Sequence, residues 1–117
     1  MTLIFHITPR SDWQAAQQAG IYRADSLDTE GFIHCSTAAQ VVGTANAFFR
    51  SQSGLVLLGI AVDRLQASLR YDAVDDRQFP HLYGALNLDA VVQVFDFEPN
   101  ADGTFTLPKM SEQPFIT

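Results

Sequence analysis

The sequence predicts an α+β fold, and two observations carry that prediction. Two amphipathic helical patterns fall in the first half of the chain, whereas most strand-like runs come later. The regular strand–helix alternation that builds a doubly wound parallel sheet is missing. At 117 residues, with 47% hydrophobic residues and nine Phe, the chain is expected to form a single domain over 1–117 with ample core material.

The elements follow in order. Leu3–Thr8 reads as the first strand, with Leu3, Phe5 and Ile7 on one face and Ile4, His6 and Thr8 on the other. Ser11-Asp12-Trp13-Gln14 has the form of a capping box, in which the Ser oxygen and the Gln side chain satisfy orphan amides reciprocally. Trp13, Ala16 and Ala19 then recur at helical spacing, and Gly20 is a natural stop. Ile21–Glu30 is polar and reads as a loop or short helical turn; Gly31–Ser36 reads as a second strand. Thr37-Ala38-Ala39-Gln40 is another capping box, and Val41, Ala45, Phe48 and Phe49 form the stripe of a second helix.

Leu55–Val62 is apolar at nearly every position, as expected for a strand buried on both faces. After a turn at Asp63–Ser68 comes a shorter strand, Leu69–Val74, and then a polar loop, Asp75–Pro80. Val91–Phe97 is a further strand, with Gly103–Leu107 as its hairpin partner. The tail from Pro108 lacks periodicity and is expected to be mobile.

Composition excludes several function classes. Thirteen acidic against seven basic side chains give a net charge of −6, which opposes binding to DNA through phosphate neutralisation. A single cysteine, Cys35, rules out an internal disulfide framework and agrees with a reducing compartment. The first 20 residues lack a basic start followed by an apolar run, so no secretory signal is visible. The longest apolar run is far short of the ~20 residues that span a bilayer. A soluble cytoplasmic protein without membrane partners is expected, and the sequence sets no oligomeric state.

The candidate chemistry lies in two matching runs, Phe5-His6-Ile7-Thr8 and Phe32-Ile33-His34-Cys35-Ser36. Residues i and i+2 of a strand share a face, so His6 projects with Thr8 and His34 with Ser36. A lone strand His is usually a hydrogen-bonded structural residue; two such pairs together point to a cleft. His81, in Phe79-Pro80-His81-Leu82-Tyr83-Gly84, reads as part of a Pro/Gly-bounded loop carrying aromatics, either a binding loop or a pinned turn. Asp72 lies on a strand and faces a cleft in the functional reading.

Three His also make a known zinc ligand set, but short-range ligand spacing is absent and no metal site is assigned. Cys35 lies just before a helix start that would favour a thiolate, yet its face is the core face, where a buried thiol is ordinary. Phosphate-cradling glycine loops and dinucleotide fingerprints are absent.

Together Phe5–Thr8, Trp13, Gly20, Gly31–Thr37 and Phe79–Gly84 resemble the bacterial family called domain of unknown function 952, over roughly residues 3–97. That family is grouped with the ADP-ribosyltransferase superfamily, which implies a bent, mainly antiparallel sheet in two halves with two helices packed on it. The motif order is similar to that of RNA 2′-phosphotransferases, which use NAD. By that similarity His6 and Thr8 contact a ribose, His34 approaches the second ribose or the transferred phosphate, and Arg23 binds phosphate. Ser36 lines the cleft, His81 and Tyr83 come from a covering loop, and Asp72 takes the place of a late catalytic carboxylate. The resemblance implies a small nucleotide-like ligand and, for a transferase, NAD as cofactor. Ile7 departs from the pattern, standing where the transferases have Gly. A non-catalytic binding module and a three-His metal-dependent hydrolase are the alternative readings.

Overall fold

β4 (Leu55–Ala61) is buried at all seven positions and separates two hydrophobic cores. The structure, a computed structural model, describes residues 2–109. Alternation along β4 sends Val56, Leu58 and Ile60 into one core with Ile4, Trp13 and Ile33. Leu55 and Leu57 enter the other, with Phe5, Ile7, Phe95 and Phe97. The apolar run is therefore a central strand covered on both faces, as its composition predicts. Its neighbours are β1 (Leu3–Pro9) and β8 (Val91–Phe97), both antiparallel to it.

The first core is closed by α1 (Arg10–Ala19), which buries Trp13 and Ala16. Gly20 takes φ +83° and donates its N–H to the Ala16 carbonyl, ending the helix as read from sequence. The Ser11–Gln14 capping box does not form. β1 runs straight into Pro9 at the cap position, so Ser11 already lies inside the helix and no side chain caps it. A short ribbon pairs β2 (Ile21–Tyr22) with β7 (Leu86–Asn87). Between β2 and β3 (Ile33–His34) lies a one-turn helix, α2 (Asp25–Thr29). The described residues thus hold three α-helices: the two the sequence predicts and α2, a short helical turn within Ile21–Glu30, one of the two readings given for that segment.

β3 is shorter than expected, only two residues long. The second capping box is half made: Gln40 Oε1 accepts the Thr37 N–H at 3.1 Å ahead of α3 (Val41–Phe48). α3 buries Val41 and Ala45 against the second core but leaves Phe48 78% exposed.

The largest correction concerns Asp75–Pro80. β5 (Ser68–Val74) and β6 (Arg77–Tyr83) form a tight hairpin closed by Asp75-Asp76, with Asp75 at φ +51°. β6 is the middle strand of a sheet ordered β3-β6-β5. Pro80 sits in it without cost to the β5 ladder: its carbonyl accepts from Cys35 N–H at 3.0 Å, so its missing amide also faces the side where β3 has ended. His81 and Tyr83 consequently stand on a strand, not on a covering loop.

Gly103–Leu107 forms no strand. Phe105 instead stacks on Phe97 at 4.8 Å and donates its N–H to Asn46 of α3. Beyond Lys109 the expected mobile tail lies outside the described residues. Among these residues no helix is long and apolar enough to cross a membrane.

Candidate functional site: a histidine-lined cleft between α3 and the β5–β6 hairpin

The residues after β3 join the two three-stranded sheets. Ile33 and His34 pair with β6, and two residues later Ser36 exchanges a pair of 2.8 Å backbone hydrogen bonds with Phe5 of β1. This crossing places His6 under His34 and opens a cleft of about 350 Å³. Phe5 and Ile7 form its floor, Thr44, Phe48 and Phe49 one wall, and Val74, Phe79 and His81 the other. His34, Cys35 and Ser36 close one end, near His6.

His6 is a junction post. Its Nδ1 lies 2.6 Å from the His34 carbonyl and its Nε2 lies 2.8 Å from the Tyr22 hydroxyl, itself 3.0 Å from Thr8 Oγ1. Burial lowers the ring's pKa to about 4, so the ring is neutral near pH 7. A carbonyl only accepts, so the proton sits on Nδ1. Nε2 then takes the single Tyr22 proton, and Thr8 donates to the Tyr22 oxygen. Burial also pushes the Tyr22 hydroxyl up to about 12. The predicted His6–Thr8 pair does share a face, but it is spent on internal hydrogen bonds, and Thr8 does not line the cleft.

A second network occupies the outer face of the β3-β6-β5 sheet. Alternation turns Ile33, Leu69 and Leu82 inward to the first core. His34, Asp72, His81 and Tyr83 gather on the other face. Asp72 Oδ2 accepts from His81 Nδ1 at 2.8 Å and also from the Tyr83 hydroxyl. The Tyr83 and His81 bonds, with Arg70 nearby, hold the Asp72 carboxyl below its usual range; the bond to Asp72 raises the Tyr83 hydroxyl above its own. Arg70 lies over the Tyr83 ring at 5.1 Å.

His81 is 4% exposed and stacks on Phe32 with ring centroids 4.0 Å apart. Its Nδ1 is held by a carboxylate, so the neutral ring carries its proton there and leaves a lone pair on Nε2. Among the described residues Nε2 has no hydrogen-bond partner, yet it is not sealed from solvent. His34 is more open, with Nε2 3.0 Å from Glu30 Oε2 and its ring edge-on to His81 at 5.3 Å.

Of the residues singled out in the sequence, His6, His34, Ser36 and His81 reach this cleft, and Asp72 and Tyr83 stand behind His81. Arg23 does not: it pairs with Asp28 at 2.9 Å and lines a separate hollow beside α1. The Ser36 hydroxyl is 3.2 Å from Thr44 Oγ1. The three-His metal reading fails on geometry, because both His6 nitrogens are already engaged. Among the described residues no group of three or more His, Cys, Asp or Glu is arranged to hold an ion. Cys35 is an inert buried thiol, pushed up to about 12 by desolvation.

Tyr22, Glu30, Phe32 and Phe48 escaped sequence reasoning as site residues. Phe32 and His34 stand two apart, a spacing that flags a shared face. Tyr22 carried no such signal, because its partners lie 14 and 16 residues away in sequence.

An α+β domain with a histidine-lined cleft at the seam of two antiparallel sheets is the class that fold and site define. The chain belongs to the family described as "Protein of unknown function (DUF952)", which it matches over residues 7–94. It is similar to protein CC0527 of Caulobacter crescentus. The crystal structure of that protein is 35% identical over 93% of this chain and 97% of the other, with a TM-score of 0.86. Its solution structure is 34% identical over 97% of both chains, with a TM-score of 0.78. No curated protein matches the chain.

Proposed function

We propose that this chain binds a small, largely apolar molecule in the cleft between α3 and the β5–β6 hairpin. One observation carries the reading. A buried His81, fixed at Nδ1 by Asp72, lines a mainly apolar pocket, and its Nε2 has no hydrogen-bond partner among the described residues. Ligand sites are typically apolar clefts with a few placed polar groups, and ~300 Å³ is the lower end of their size range. The 78% exposure of Phe48 at the mouth gives an apolar surface that a ligand would cover.

The test is a ligand-observed NMR screen of one- and two-ring aromatic fragments against the wild-type protein and Phe48→Asp. Binding that the substitution abolishes supports the reading. A panel in which no fragment binds the wild type, or all bind both proteins equally, overturns it.

A second reading, NAD- or ADP-ribose-type binding with ADP-ribosyl or phosphate transfer, is favoured by one observation: His6, His34 and Ser36 border the same cleft. The residues fit that group poorly. Both His6 nitrogens are occupied, Thr8 is turned inward, and Arg23 lies in another hollow. Titration with NAD separates the readings, since a ribose site there requires the His6 ring to respond.

A further inference from the structure

We propose that the ligand of this cleft is a phenol, an uncharged aromatic ring bearing a hydroxyl, with the hydroxyl donating to His81 Nε2. This rests on the small-ligand reading above and names its chemical class. Three features select it.

The first is the lining. Phe5, Phe48, Phe49 and Phe79 surround the cleft, and flat rings pack favourably on aromatic faces and edges. The volume of about 350 Å³ suits one or two rings rather than a dinucleotide.

The second is the sense of the polar anchor. Asp72 accepts from Nδ1 and so fixes a proton there, which makes Nε2 an acceptor in the neutral tautomer. A ligand reaching that atom gains a hydrogen bond by bringing a donor, and a bare acceptor such as an ether does not.

The third is charge. The groups facing His81 are Asp72 and Tyr83 on its own sheet, His34 with Glu30 behind it, and Arg70 opposite it on β5. Two carboxylates, Asp72 and Glu30, stand against one fixed cation, Arg70, so a ligand that arrives as an anion is disfavoured. A hydroxyl avoids that cost. It also exploits the pair behind it: any proton that moves from the phenol oxygen to Nε2 leaves an imidazolium hydrogen-bonded to Asp72 and a phenolate facing it, with no net change of charge. Asp72 is thus a positioning residue that acts through His81.

The experiment uses three probes at about pH 6, where free para-nitrophenol is mostly the uncharged phenol and benzoate is still an anion: para-nitrophenol, its methyl ether para-nitroanisole, and benzoate. Dissociation constants come from tryptophan fluorescence and NMR shifts, and the visible absorbance of bound para-nitrophenol reports its phenolate. The phenol should bind at least ten-fold tighter than the ether, and benzoate weakest. Asp72→Asn should remove most of that preference and change the bound spectrum while leaving ether binding as it was. His81→Gln should remove the preference as well. Equal binding of phenol and ether overturns the phenol proposal and leaves the cleft reading standing. Tighter binding of benzoate overturns the charge argument and with it the proposal. Failure of all three probes together with the fragment panel overturns both.

Discussion

Asp72 and His81 are diagonal neighbours on one face of the β5–β6 hairpin: His81 stands opposite Arg70, two residues along β5 from Asp72, whose carboxylate nevertheless reaches Nδ1 at 2.8 Å. Diagonal cross-strand positions lie within reach of long or aromatic side chains, and here the imidazole closes the gap. The hairpin therefore fixes both the ring's orientation and its tautomer. Tyr83, two residues on along the same face, adds a second donor to the carboxylate.

That shared carboxylate yields the first prediction. Asp72→Asn removes the charge that raises the Tyr83 hydroxyl, so Tyr83 should ionise closer to the ordinary tyrosine value. An ultraviolet pH titration of wild type and variant checks this. The step assigned to Tyr22, near 12, should stay where it is.

Acid stability is the second. Unfolded, His6 binds a proton below 6.5; folded, only below about 4. Between those values the unfolded chain holds the extra proton, so stability falls as pH is lowered through this window. It is fully retained above 6.5. The loss reaches roughly 3 kcal/mol at the acid end of the window and about 2 kcal/mol by pH 5. Urea midpoints across this range should show the slope, and His6→Gln should flatten it whatever its effect on absolute stability.

Tyr22→Phe keeps the ring and deletes the hydroxyl that joins His6 to Thr8. Both partners then lose a hydrogen bond within a buried site, at a cost of about 1–3 kcal/mol in urea unfolding. A variant as stable as wild type would show that the three-residue chain is not what holds the sheet junction.

Phe48→Asp should behave in the opposite way. The ring is 78% exposed, so stability should change by no more than about 0.5 kcal/mol, while fragment binding is lost. Measuring melting and binding on one sample separates a site residue from a structural one.

Much of the scaffold was legible. The unbroken apolar run of β4 announced a strand buried on both faces, and Trp13, Ala16 and Gly20 marked α1 and its end. Alternation correctly paired His6 with Thr8 on one face. The sequence could not show that Tyr22 consumes that pair, because the contact depends on where the β2–β7 ribbon docks. Pro80 hid β6: a proline argues against a central strand, and only the early end of β3 makes it tolerable. Once β6 is a strand, Phe79, His81 and Tyr83 fall on one face and the second network follows. The similarity of the two His-bearing runs was real in pattern but unequal in outcome. His6 is buried and satisfied on both nitrogens, whereas His34 is open on a sheet face.

The most direct test is a ring-nitrogen NMR spectrum of all three histidines, recorded while para-nitrophenol is added. Before addition, His6 and His81 should each show a proton on Nδ1. On addition the His81 Nε2 signal should shift and saturate together with the Phe48 ring signals, while both His6 nitrogens stay fixed. If His6 responds and His81 does not, the cleft is not organised around the Asp72–His81 pair, and its ligand is held by the sheet junction instead.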